Sequence, residues 1–477
     1  MKTVYLANEI IHSFLPIDER KVQNNWNAVR SSFTHKIIVL DDDPTGVQTV
    51  HGISVYTDWD EDTIEQGFRE EGQMFFILTN SRAFTSKETE QVHRDIAQRV
   101  ENISAKLGKP YLIISRGDST LRGHYPLETE VLRSTIEENS GSKVDGEVIL
   151  PFFKEGGRLT VDNTHFVQQG DVLVPAGNTE FAKDRTFGYS KSHLGEWIEE
   201  KTKGTYRKED VTYISLTTLR SLDYEEIVRQ LLQVNNFGKV VVNAIEEADV
   251  RIFTTALLHA ILKGKRFIFR TAAAFTKVVG DISSRPLLSR EELISEGNDN
   301  GGLIIVGSHV QKTTDQLNEL KTLSSLHFIE FDAHLVLNKE AFKAEVERVR
   351  LEAERKVGAG ITTVIFTKRE RLDLGVGMEE QELKLSVEIS DAVTSIVRNF
   401  SVRPNYLIAK GGITSSDVGT KGLCVKRATV AGQIAPGIPV WKTGEESTFP
   451  HIPYVIFPGN VGAITTLRDV VVTLESK

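Results

Sequence analysis

The stretch Ile37-Ile38-Val39-Leu40-Asp41-Asp42-Asp43-Pro44-Thr45-Gly46 decides how the chain folds. Its apolar half is short and β-branched, as in a strand buried on both faces of a parallel sheet. Three carboxylates follow, and Pro44 and Gly46 then force a turn. Like charges so close repel, so the array persists only against a cation or a proton. In open α/β sheets ligands bind outside the carboxyl ends of strands, where these acids stand. The competing reading is an acidic turn that caps the next element.

Similar runs recur outward from this one: Met74–Thr79, Tyr111–Ser115, Glu147–Leu150, Thr212–Leu216, Lys239–Asn243 and Arg266–Arg270, then Leu303–Val306, Phe328–Phe331, Thr362–Thr367, Tyr406–Ala409 and Tyr454–Phe457. Between many of them lie helical stretches such as Ser86–Leu107 and Asp391–Phe400. In the second, Ile389, Val393, Ile396, Val397 and Phe400 share a face. This alternation predicts an α/β fold with largely parallel sheets flanked by helices. The polar, Gly-rich segment Asp281–Gly302, including Glu296, marks a seam between two compact units.

With 477 residues the chain has room for two or three cores. A net charge of −9 gives the surface no general pull toward nucleic acid or anionic lipid. The single Cys424 excludes an internal disulfide framework and fits a reducing compartment. Met1–Pro16 carries Glu9 and has no sustained apolar core, unlike a signal peptide. No apolar run reaches the length of a membrane span. A cytoplasmic location, with no nucleic-acid or membrane partner, is the expectation, and a homodimer stays open.

Four strand ends in the first half are unusually polar. Beyond Asp42, Asp43, Thr45 and Gly46 they carry Asn80, Ser81 and Arg82, then Arg116, Asp118, Ser119 and Arg122, then Pro151–Arg158. On adjacent strands these loops converge on one rim of carboxylates, arginines and hydroxyls. Such a rim suits a small hydroxylated anion: Arg116, Arg122 or Arg82 as a carboxylate clamp, Asp42 and Asp43 toward hydroxyls. Structural ion pairs of Arg116 and Arg122 with Asp118 or Glu128 are the bland alternative. His124 and His165 lack partners at metal-ligand spacing, so no metal site is expected.

In the second half Gly307-Ser308, Gly411-Gly412-Ile413-Thr414 and Gly459-Asn460-Val461-Gly462 each follow a strand. Strand, small residues, then helix makes a pocket of free amides suited to phosphate. Neither a Walker-type loop nor a G-x-G-x-x-G fingerprint is present.

Together these residues resemble the four-carbon acid sugar kinase family. Its D-D-x-T-G is met by Asp42–Gly46, its D-S-T-L-R-G by Asp118–Gly123, and its R-T-A-A by Arg270–Ala273. The glycine loops with Ser308, Thr414 and Asn460 match in the second half. The resemblance implies a two-domain ATP-dependent kinase of a sugar acid (a threonate, erythronate, 3-oxo-tetronate or branched relative), acting in carbohydrate catabolism on the terminal hydroxyl. It implies residues 1–35 as an N-terminal extension, 36–280 as the substrate domain, 281–301 as a linker and 302–477 as the ATP domain, with the active site in the interdomain cleft. Asp42 and Asp43 would be catalytic. The nucleotide would meet Ser308, Gly411, Gly412, Ile413, Thr414, Gly459, Asn460 and Gly462, with Mg2+ on its phosphates. Ile413 departs from the family's usual Glu.

Two other readings carry different chemistry. Asp41, Asp43 and Thr45 also satisfy the D-x-D-x-T of haloacid-dehalogenase-type phosphatases, with Asp41 as nucleophile, Asp43 as general acid and Thr79 as second motif. A non-catalytic sugar-acid sensor locked by ATP is the other.

Overall fold

Strand Lys36–Asp41 pairs in parallel with Met74–Leu78 on one side and Tyr111–Arg116 on the other. The sheet continues from Tyr111–Arg116 through Phe267–Thr271, Gly146–Leu150 and Gly238–Val242 to Thr212–Ile214, every pairing parallel. The computed structural model describes residues 5–295, 297–370, 372 and 378–476. Residues 1–4 of the N-terminal stretch and Glu296 of the seam lie outside the described residues. The described chain forms two compact units, one of residues 1–49 and 58–283, the other of 50–57 and 284–477.

The first unit's strands are buried along almost their whole length, as continuous apolar runs should be. Helix Ser86–Leu107 has the bounds its pattern predicts, because a Thr85–Glu88 capping box starts it and Gly108 at φ 61° ends it. Strand Thr212–Ile214 stops short of Leu216, since Ser215 accepts from Thr218 N and caps helix Leu216–Arg220. Within the stretch 1–35 expected as an N-terminal extension, a described helix packs into this unit. Helix Glu19–Arg30 buries Val22, Trp26 and Val29 and packs against helix Glu247–Leu262, and Trp26 Nε1 donates to Asp281 Oδ1 at 2.8 Å. A small antiparallel sheet of Tyr5–Leu6, Val172–Pro175, Thr164–Gln169 and Arg158–Val161, unforeseen from the sequence, completes this unit.

One buried ion pair holds two central strands together. Lys239 Nζ lies 2.6 Å from Glu147 Oε2, both side chains 1% exposed or less, with the ammonium 3.7 Å from the Phe237 ring centroid. Removing one partner strands a buried charge, so K239M is expected to lose about 3–5 kcal/mol in urea denaturation. The double replacement K239M/E147L is expected to recover most of it.

In the second unit Leu303–Val306 is central, parallel to Thr363–Thr367 and Leu407–Lys410. His327–Phe331 and Pro453–Phe457 extend the parallel part. An antiparallel hairpin, Arg427–Ala435 and Ile438–Thr443, joins beyond Pro453–Phe457. Its outer neighbour is Ser54–Tyr56, a strand from within the stretch expected to belong wholly to the first domain. Part of the expected linker also belongs here: Leu288 is 3% exposed in the core with Ile304, Ile408 and Val455, and its N–H bonds Gln433. Helix Glu379–Arg398 ends two residues before Phe400, which is still buried.

Candidate active site

Each unit changes the direction of strand addition at one of its parallel strands. The first places Met74–Leu78 on one flank of Lys36–Asp41 and then Tyr111–Arg116 on the other, opening a crevice at their carboxyl ends. Three loops meet there: 42–46, 79–82 and 117–123.

The carboxylates that end the first strand are met by arginines from its two neighbours. Arg116 Nη1 lies 3.3 Å from Asp41 Oδ1 and 3.6 Å from Asp42 Oδ1. Arg82 Nε lies 3.1 Å from Asp42 Oδ2, and its Nη2 2.6 Å from Asp43 Oδ2. Asp41 and Asp42 are only 1% and 2% exposed. The Asp43 side chain keeps 21%.

Burial separates the three acids chemically. It pushes the Asp41 carboxyl up to about 7, only partly opposed by Arg116 and aided by Asp42 and Asp43. It likewise pushes Asp42 up to about 6 against Arg82 and Arg116. For Asp43, Arg82 and the two hydrogen bonds from Thr45 N (2.8 Å) and Oγ1 (2.5 Å) outweigh burial, so it stays ionised. The native state therefore binds a proton at Asp41 more tightly than the unfolded chain does. That contribution favours folding at acid pH and is lost progressively as pH rises from about 4 toward 7. The stability of the parent relative to D41N is expected to fall across that window and level off above it, read from urea midpoints.

Gly46 sits against this cluster, because a Cβ there would lie 1.9 Å from Asp41 Oδ2. A nucleophilic role for Asp41 meets that wall, and Thr79 Oγ1 is already donating to the Asp41 carbonyl at 2.9 Å. The phosphatase pattern is present in sequence, but its first carboxylate is covered.

The loop 118–123 adds a second layer. Asp118 Oδ2 takes Arg122 Nε at 2.7 Å and the Thr120 hydroxyl, and Arg122 and Arg82 hold its carboxyl well below the usual range despite burial. Ser119 joins the framework by its carbonyl, which meets His165 Nε2 at 2.8 Å. His124 Nε2 is 3.0 Å from the Phe84 carbonyl. Asn80 adopts φ 56° at the head of the turn Ser81–Ala83, and Ser81 Oγ donates to Glu128 Oε1 at 2.7 Å.

Two side chains here were not foreseen as site residues. Arg270, at the end of Phe267–Thr271, lies 3.6 Å from Glu128 Oε2 and donates to the Arg122 carbonyl at 2.8 Å. Gly117 makes room for it, since a Cβ there would lie 1.4 Å from Arg270 Nη1. The R-T-A-A segment was the only local signal for Arg270, and Glu128 on a helix gave none.

In the second unit the direction of strand addition changes at Leu303–Val306, between Thr363–Thr367 and Leu407–Lys410. A cavity of about 360 Å³ opens there, lined by Gly307, Ser308, Gly411, Gly412, Ile413 and Thr414 together with Thr367 and helix residues that include Ile389 and Val393. Among the described residues the lining combines glycines, hydroxyls and His309 with the aliphatic side chains of Ile389, Val393, Ile413 and Val418, and carries no carboxylate. Gly459 approaches from a neighbouring strand end, where a Cβ would lie 3.1 Å from Ser308 Oγ. Asn460 and Gly462 do not line the cavity, and Gly462 packs near Thr466.

Lys410 ties these loops together. Fully buried, it donates to the carbonyls of Pro458 (2.5 Å) and Gly459 (3.1 Å), while burial and nearby Lys312 lower it to about 7. Arg369 Nη2 donates to the Ser308 carbonyl at 2.6 Å and to Thr314 Oγ1 at 2.8 Å. Among the described residues no group of three His, Cys, Asp or Glu is placed to hold a cation. No described helix is long and apolar enough to cross a membrane.

Residues 37–279 match the family described as a sugar-binding N-terminal domain, and residues 303–467 that described as a nucleotide-binding C-terminal domain. A D-erythronate kinase from Heliobacterium modesticaldum is 24% identical over 323 residues, and the match spans 66% of each chain. A solved structure from Salmonella typhimurium LT2 shares the fold at TM-score 0.66 and 16% identity, covering 92% of this chain and 99% of that one. A Haemophilus influenzae protein does so at TM-score 0.62 and 16% identity, covering 92% and 100%.

Proposed function

The chain belongs to the four-carbon acid sugar kinase family, and on that premise we propose that it transfers the terminal phosphate of ATP to a hydroxyl of a four-carbon sugar acid. The observation that carries the reading is Asp43. It is the one carboxylate of the triplet with appreciable exposure, and Arg82 and Thr45 hold it ionised. Phosphoryl transfer asks chiefly for positioning and charge neutralisation. An ionised, anchored carboxylate aligns the accepting hydroxyl and takes its proton late. Asp42, buried against Arg82 and Arg116, sets the position of those guanidiniums.

The second unit supplies the nucleotide site in this reading. The amides around Gly411–Thr414 and Ser308 suit phosphates, and the aliphatic side chains of the lining suit the base or ribose. Magnesium, when bound, neutralises the ATP phosphates. With no carboxylate among the described lining residues, it would be held chiefly by the phosphates, with the Ser308 and Thr414 hydroxyls available to it. Transfer requires the bound phosphate and the held hydroxyl to meet with water excluded, or ATP would be hydrolysed.

The test is ADP release with D-erythronate, D-threonate and their 3-oxo relatives, with and without magnesium. Acid-dependent release well above background is expected. Acid binding with no phosphorylated product across the panel would instead favour the sensor.

A further inference from the structure

Five arginines approach the rim of the first unit, and four are neutralised. Arg82 and Arg116 pair with Asp41–Asp43, Arg122 with Asp118 and Asp184, and Arg270 with Glu128. Arg158 is the fifth. Among the described residues it has no ion pair and no side-chain hydrogen bond, and its Nε is buried without a partner. The side chain is half-buried, and a buried N–H left unsatisfied in this way costs stability unless a ligand completes it.

Its placement is enforced by the backbone. Phe153 and Arg158 exchange both N–H···O bonds, at 3.0 and 2.9 Å, across the tight turn Lys154–Gly156, with Gly157 at φ 72°. The side chain folds back over that turn, where a Cβ on Gly156 would lie 2.9 Å from Arg158 Nη1. The guanidinium then stands 5.5 Å from the Phe181 ring centroid, and that of Arg122 stands 5.1 Å from the same ring. Two cations thus share one aromatic ring, with Asp118 near both and Asp184 3.8 Å from Arg122. Burial and the proximity of Arg122 both lower the Arg158 pKa, with Asp118 opposing. Among the described residues Arg158, unlike Arg122, has no carboxylate paired with it.

We propose that Arg158, together with Arg122, receives the carboxylate of the sugar acid and makes the site selective for acids over neutral polyols. The proposal rests on the kinase reading above and names the end of the substrate that reading leaves open. A carboxylate accepts from two guanidiniums at once and gives Arg158 the partner it lacks. The loop 118–123 connects this anion end to the hydroxyl end, since a Cβ on Gly123 would lie 3.8 Å from Asp42 Oδ2. The acid is thereby held at one end while its hydroxyl chain runs toward Asp43. Arg116, expected from sequence to share the clamp, is 4% exposed and committed to Asp41 and Asp42.

The experiment compares D-erythronate with erythritol, which keeps the four-carbon hydroxyl chain and lacks the carboxylate. Selectivity is the ratio of kcat/KM values, or of Kd values where erythritol is not phosphorylated. R158Q is expected to lower selectivity by about 10–100-fold, the loss of one charge-assisted hydrogen bond or pair of bonds. R158K, which keeps the charge without the fork, is expected to fall between parent and R158Q. The melting temperature of R158Q should hold, because no ion pair is lost. Equal loss toward both ligands, or an unchanged ratio, overturns the proposal while leaving the kinase reading standing. Failure of the parent chain to bind D-erythronate or any other acid of the panel overturns both.

Discussion

In D43N, turnover with sugar acid falls by about 10²–10⁴-fold, the range for losing a positioned proton acceptor, while the affinity for ATP is retained. The amide keeps the size of the carboxylate, and its oxygen still accepts from Thr45, so the turn 42–46 survives. What is lost is charge: Arg82 loses its 2.6 Å partner and keeps its 3.1 Å contact with Asp42. KM for the acid should change less than kcat, because the ionised group matters most as the proton leaves the hydroxyl. Stopped assays give kcat, and calorimetric titration gives ATP affinity. An equal loss of ATP affinity would sink the assignment of sugar acid and nucleotide to different units.

The complementary result concerns G411A, in which the nucleotide side fails. Gly411 adopts φ 128° and ψ 144°, a region essentially reserved for glycine, so a side chain there costs about 1–3 kcal/mol. Its Cβ would also lie 2.9 Å from Ser308 Cβ and 3.0 Å from Thr414 Oγ1, two lining residues of the cavity. Relief requires the 411–414 turn to move off its amide geometry. KM for ATP is expected to rise at least about tenfold, the equivalent of ~1.4 kcal/mol of lost contact. Binding of D-erythronate to the first unit should be untouched. ATP affinity equal to that of the parent would mean this cavity is not the nucleotide site.

Much of this was readable before any coordinates. The strand ends at Asp41, Leu78 and Arg116 were legible because continuous apolar runs broken by polar turns signal buried parallel strands. Adjacency of those ends followed once alternation with helices implied a parallel sheet. The pairing of each arginine was not legible. Whether Arg116 meets a ligand or a neighbouring aspartate depends on ångström-scale geometry between strands far apart in sequence. Arg158 stayed hidden for the opposite reason: its meaning lies in what it fails to touch. The strand Arg427–Ala435 was missed because its burial alternates with a period of two rather than forming an apolar run.

The exchanged strand Ser54–Tyr56 has a consequence for how the polypeptide can be taken apart. Ser54 and its partner Arg427 are 373 positions apart, so the C-terminal sheet cannot finish its border until the ribosome has nearly completed the product. A single protease nick after Ser283 does not free the second unit, because residues 50–57 of that unit stay covalently within the N-terminal fragment. Residues 284–477 made alone would leave the outer side of Arg427–Ala435 bare, an invitation to self-association. Dissection of this molecule therefore calls for carrying residues 50–57 along with the C-terminal portion.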